Sequence, residues 1–126
     1  MEFFIVYIKE AHPSDGRVVP ANTRAGISVK DPTSLTERQQ VANKACKELN
    51  LSWPCLVDDM ENTVNKAYAA WPTRLYVVDT EGKIAVASNR GPAGLAPSIT
   101  EAERWLKASI SKATDKEGPP SKPEAP

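Results

Sequence analysis

Few side chains in this chain can do chemistry. Its 126 residues include one histidine and two cysteines. His12 lies in the string Glu10-Ala11-His12-Pro13-Ser14-Asp15-Gly16. An imidazole changes charge near neutrality, so it can donate or accept a proton under ordinary conditions. On residue type alone, a single histidine in such a turn reads as a solvated turn residue. Cys46 falls on the helical stripe Val41, Ala42, Ala45, Cys46, Leu49 and reads as a core residue. Cys55 follows Pro54 at the head of a short apolar run. It reads as a partly exposed residue at the start of a strand, with a resolving thiol as its candidate role. The two cysteines are not spaced as Cys-x-x-Cys, and nothing flanking them promises the lowered pKa of a nucleophilic thiolate. With one histidine they do not complete a zinc site either. Asp58-Asp59 ends an apolar run and precedes a helical pattern. Capping that helix is the simpler role for the pair, cation binding the alternative. Gly91-Pro92-Ala93-Gly94 lacks the Lys-Ser/Thr and the strand-to-helix setting of a phosphate loop.

The elements that must position these residues are legible. Phe3 to Ile8 is apolar without alternation, the pattern of a strand buried on both faces. Lys9 to Pro32 is a long connection rich in Pro, Gly and Asp, with Ile27 and Val29 as a short extended piece; loops of that length tend to be functional or disordered. Ser34-Leu35-Thr36-Glu37 is a capping box, opening a helix to about Asn50 with Arg38 on its wet side. Cys55 to Asp58 reads as a strand and Asn62 to Ala70 as a second helix. Thr73 to Asp79 and Ile84 to Ala87 form a hairpin whose turn, Thr80-Glu81-Gly82-Lys83, carries glycine where a positive φ is wanted. Ser98 and Glu101 read as the cap of a last helix bearing Ile99, Ala102, Trp105, Leu106 and Ile110. Trp53, Trp71 and Trp105 read as core and rim packing residues. Thr114 to Pro126 lacks an apolar anchor and is expected to be disordered. The domain is therefore expected over residues 1–113, with order β-α-β-α-β-β-α.

Composition narrows the class. Sixteen basic against sixteen acidic residues give zero net charge, which argues against a nucleic-acid partner. The longest apolar run is far short of the roughly 18 residues of a membrane span. No basic leader precedes it. The expectation is a cytoplasmic chain without membrane contact.

Trp71-Pro72-Thr73 stands directly before an apolar strand. A proline there is a strand opener or a cis-proline presenting backbone to a redox site, as in thioredoxin-like folds. Pro54-Cys55-Leu56-Val57-Asp58, Lys66-Ala67-Tyr68, Pro72-Thr73 and Leu75 through Ile84 together resemble a peroxiredoxin or TlpA-type core. The first half is more specific. Tyr7-Ile8-Lys9-Glu10-Ala11-His12-Pro13-Ser14-Asp15-Gly16 resembles the iodothyronine deiodinase family, as do Asp58-Asp59-Met60-Glu61-Asn62, Ala67-Tyr68, Arg74-Leu75-Tyr76-Val77 and Gly91-Pro92-Ala93-Gly94. The resemblance spans about Glu2 to Leu106.

That resemblance implies an α/β, thioredoxin-like fold with a central mixed sheet, and a thiol or selenol oxidoreductase of a selenoprotein family. The reaction is reductive dehalogenation, or peroxide or disulfide reduction. It implies that His12 is the acid or orienting group, that Glu10 and Asp15 set its tautomer, and that Pro72 and Thr73 lie against the substrate. The substrate would be an aromatic halide or a peroxide, with a thiol reductant as co-substrate and no other cofactor. The family's nucleophile stands on a strand and helix before the residues that match here. The chain is therefore expected to be N-terminally truncated and to lack its nucleophile. The alternative is a catalytically inactive thioredoxin-like binding domain, and a third reading is a reductase using Cys55. Arg17 replaces the tryptophan usual after Asp-Gly, and Val18 to Gly26 departs from the family, so that loop's substrate contacts are not carried over. An unpaired first strand, with the pairing of related folds, implies a homodimer.

Overall fold

The computed structural model describes residues 1–116. They fall into two compact units, Met1–Pro72 and a second beginning at Thr73.

In the first unit, β1 (Ile5–Tyr7) pairs parallel with β2 (Cys55–Val57), Ile5 opposite Cys55 and Tyr7 opposite Val57. Parallel neighbours need a long crossover, and the stretch between them supplies it with α1 (Pro20–Arg24) and α2 (Leu35–Glu48). Helix α2 packs on β2. It starts where the sequence says. Ser34 Oγ accepts the Glu37 N–H at 3.2 Å, and the Glu37 carboxylate accepts the Thr33 N–H at 2.8 Å and its hydroxyl at 2.9 Å. Those Thr33 donors hold the Glu37 carboxyl below its ordinary pKa. The helix ends at Glu48, and Asn50 then turns the chain at φ 51°. Asparagine tolerates this left-handed conformation better than most residues. Helix α1 interrupts a connection expected to be irregular. Pro20 opens it, with φ preset and no N–H to satisfy.

Two expectations are corrected here. Arg38, assigned to the wet side of α2, is only 2% exposed. Its guanidinium donates to the carbonyl oxygens of Asp58 and Asp59, and these partners at the end of β2 draw it inside. The first strand is not buried on both faces: Phe3, Phe4 and Val6 are exposed. Strand β1 has one neighbour, and Val6 and its register partner Leu56 both face solvent. Trp53 is likewise exposed, stacked on Phe3 with centroids 5.5 Å apart.

Helix α3 (Thr63–Tyr68) follows β2 closely, and the aspartate pair caps it. The Asp58 carboxylate accepts the N–H groups of Asp59, Val64 and Asn65, each at 2.9 Å. Asp59 takes the Thr63 N–H at 2.9 Å and the Thr63 hydroxyl at 2.6 Å. Helix N-termini favour such negative charge.

In the second unit, β3 (Tyr76–Val78) pairs antiparallel with β4 (Ile84–Ala87), Tyr76 opposite Ala87. The Asp79 carboxylate accepts the N–H groups of Glu81 and Lys83, both at 2.9 Å. Gly82 sits at φ 79°, where a side chain would be strained. Helix α4 (Leu95–Lys116) packs on β4, with Val86 and Ala102 buried. It begins before Ser98, which therefore does not cap it. Ser98 Oγ donates to the Gly94 carbonyl at 2.7 Å from within the first turn. Pro97 is accommodated there because first-turn N–H groups have no helical partner. The helix also continues past Thr114, the expected start of the tail; the rest of that tail, 117–126, lies outside the described residues.

The class is α/β. Among the described residues the strands hydrogen-bond as two two-stranded sheets rather than one mixed sheet. Strand patterns in a sequence fix the elements but not their partners. Among the described residues, no helix is long and apolar enough to cross a membrane.

Asp58 is 1% exposed, and its own N–H donates to the Tyr7 carbonyl at 2.8 Å. Asp58→Ala would leave its α3 donors unpaired in the interior. The expected cost is about 3 kcal/mol, read as a lower urea midpoint; a change within experimental error would show that the cap is not structural.

Candidate functional site

The carboxyl end of β1 runs directly into Glu10 and His12. Open α/β sheets gather ligands beyond the carboxyl ends of their strands. Glu10 is half-buried, and its carboxylate Oε1 accepts the Tyr7 hydroxyl. Burial raises its pKa above the ordinary value, and the nearby Asp31 charge raises it further.

The segment before Pro72 meets this strand end. Trp71 Nε1–H donates to the Glu10 carbonyl at 3.4 Å, and Lys9 Nζ lies 5.6 Å from the Trp71 ring centroid. The Trp71 N–H donates to Asn65 Oδ1 at 2.9 Å, which fixes the tryptophan to α3. The Trp71–Pro72 bond is cis. The structure thus brings Glu10 together with the residue adjoining Pro72.

The other candidates are placed differently. His12 is half-buried, and its Nδ1 lies 3.3 Å from the Arg17 carbonyl. The Asp15 carboxylate accepts the Asp31 N–H at 3.0 Å. The bonds observed for Glu10 and Asp15 therefore go to Tyr7 and Asp31, and the imidazole is held by backbone. Glu10 and Asp15 line a cavity of about 1080 Å³ between residues 25–33 and α2. His12 lines a smaller one of about 240 Å³ with Ser14, Asn22 and Thr23. Thr73 opens the second unit. Its carbonyl accepts the Gly91 N–H at 2.9 Å, and a Cβ on Gly91 would collide with Thr73 Cγ2. Cys55 is half-buried, its thiol pushed up to about 11 by burial and by the adjoining Cys46 thiol. That is opposite to what a reactive thiolate needs.

Comparison with known proteins now bears on this arrangement. The sequence model of the family described as iodothyronine deiodinase matches residues 1–109. The chain belongs to the iodothyronine deiodinase family. The type II iodothyronine deiodinase of Sus scrofa is 34% identical over 113 residues, covering 88% of this chain and 41% of that protein. The thyroxine 5-deiodinase of Gallus gallus is 38% identical over 105 residues, covering 83% of this chain and 38% of that protein. The type II enzyme of Homo sapiens is 33% identical over 113 residues, covering 88% of this chain. The chain thus spans about two fifths of the length of these deiodinase relatives.

Sequence reasoning missed three contributors on this deiodinase-family scaffold. Tyr7 reads only as a strand residue, yet its hydroxyl engages Glu10. Asn65 is read only as a position within the second helix, yet it anchors Trp71. Trp71 reads as rim packing, and only its place before Pro72 hinted at more.

The raised pKa of Glu10 has a stability consequence. The folded state holds this proton more tightly than the unfolded chain does. Stability therefore falls as pH rises from the ordinary carboxylate range through the folded-state value. Glu10→Gln removes that loss. Between about pH 4 and about pH 7, the wild type should lose more stability in urea than the variant; equal losses would contradict the burial of this carboxyl.

Proposed function

We propose that this chain carries the substrate-facing wall of a deiodinase-type reductive dehalogenase of thioredoxin-like fold. The observation that carries the reading is the Trp71 indole bonded to the Glu10 carbonyl, which joins the Glu10–His12 strand end to the residue before Pro72. Family membership and the names of the relatives support an iodinated thyronine as substrate class.

In such a reaction a selenolate or thiolate takes iodine from an aromatic carbon, and that carbon takes a proton. Two equivalents of thiol then reduce the chalcogen–iodine bond, release iodide and leave as a disulfide. In this reading His12, held at the Arg17 carbonyl, supplies or orients the proton, and Pro72 presents backbone to the ring. The attacking atom is assigned to a residue outside this sequence, because the Cys55 thiol is pushed up to about 11 and is a poor nucleophile at neutral pH. Dehalogenation therefore requires the nucleophile-bearing segment, whereas substrate binding does not.

Calorimetric titration of the chain with thyroxine tests this. Saturable 1:1 binding is expected, weakened about tenfold or more by His12→Ala, a loss of about 1.4 kcal/mol. No binding, or binding indifferent to His12→Ala in a variant with native circular dichroism, would overturn the assignment.

A further inference from the structure

Cys46 and Cys55 are far from a redox motif in sequence, but the fold brings them together. Cys46 lies in the last turn of α2, and the chain reverses within the short connection 49–54 to enter β2 at Cys55. The Leu51 N–H donates to the Cys46 carbonyl at 2.9 Å, which starts that reversal. Helix α2 packs on β2. Along β2, Cys55 and Val57 are half-buried while Leu56 between them is exposed, so Cys55 sits on the covered side of the strand. Both cysteines are free and half-buried. The last turn of α2 and the first residue of β2 are therefore neighbours across the helix–sheet interface, each carrying a thiol.

We propose that Cys46 and Cys55 form a reversible intramolecular disulfide that clamps the end of α2 to the start of β2. The oxidant is a low-molecular-weight disulfide. One cysteine thiolate attacks a sulfur of that disulfide, making a mixed disulfide and expelling one small thiol. The second cysteine thiolate attacks the protein sulfur of the mixed disulfide and expels the other small thiol. The protein loses two protons and two electrons, and the small disulfide is reduced to two thiols. The direct interaction of the two thiols, which contributes to the raised Cys55 pKa, agrees with this pairing. The same raised pKa makes the exchange slow at neutrality and faster with each step of pH towards about 11. The pair is independent of the deiodinase-type reading, since neither cysteine is assigned a step in that chemistry.

The test is intact-mass spectrometry of the reduced full chain after incubation with oxidised glutathione in native buffer at mildly alkaline pH. The expected product is a monomer lighter by two hydrogens, with a Cys46–Cys55 linked peptide after digestion and full recovery by dithiothreitol. Cys46→Ser and Cys55→Ser should each end as a single glutathionyl adduct instead. A wild-type chain that accumulates glutathionyl adducts, forms only intermolecular disulfides or stays reduced would overturn the proposal. The wild-type result stands by itself should either variant fail to fold.

Discussion

The first unit depends on one buried carboxylate. Asp58 closes β2, and each of its polar groups is committed to a different element. Its N–H goes to Tyr7 of β1, its carbonyl receives Arg38 of α2, and its carboxylate receives the first N–H groups of α3. A carboxylate at 1% exposure is tolerated only when its acceptor sites are filled, and here peptide donors at a helix N-terminus fill them. The strand pair and two helices therefore meet at one residue.

From that junction the contacts close a circuit. Helix α3 carries Asn65, Asn65 holds the Trp71 backbone, and the Trp71 indole returns to the Glu10 carbonyl just beyond β1. The candidate site is built at this closure. Its position follows from hydrogen bonds to peptide groups rather than from a packed apolar core, in keeping with how little large apolar surface this unit buries. Phe3, Phe4, Val6 and Leu56 all stay exposed. Glu10 is half-buried at the same place, which is why its carboxyl is pushed upward.

What the sequence made legible is what local chemistry decides. Ser34 with Glu37, Asp58-Asp59 before a helix, and Gly82 in a hairpin each announce themselves because the partners lie within a few residues. Family resemblance pointed to Glu10, His12 and Pro72. What stayed hidden is what distant partners decide. Arg38 looks solvated on a helical wheel and is buried only because two carbonyls await it at the end of β2. Strand pairing into two small sheets, the exposure of β1 and the Tyr7–Glu10 bond all depend on tertiary neighbours that periodicity does not encode. The start of α4 before Ser98 was hidden for a different reason: Pro97 and Ser98 both suit a first turn, and the cap signal does not say which residue opens it.

The contact that most directly supports the site is the one between Trp71 and Glu10. Nuclear Overhauser spectroscopy of the isotopically labelled chain reads it without any ligand. Cross-peaks from the Trp71 indole protons to Lys9 and Glu10 are predicted, together with peaks from the Trp71 amide to Asn65. An indole that shows peaks only to its sequence neighbours would mean that the strand end and the segment before Pro72 are separate surfaces, and the site as described would not exist.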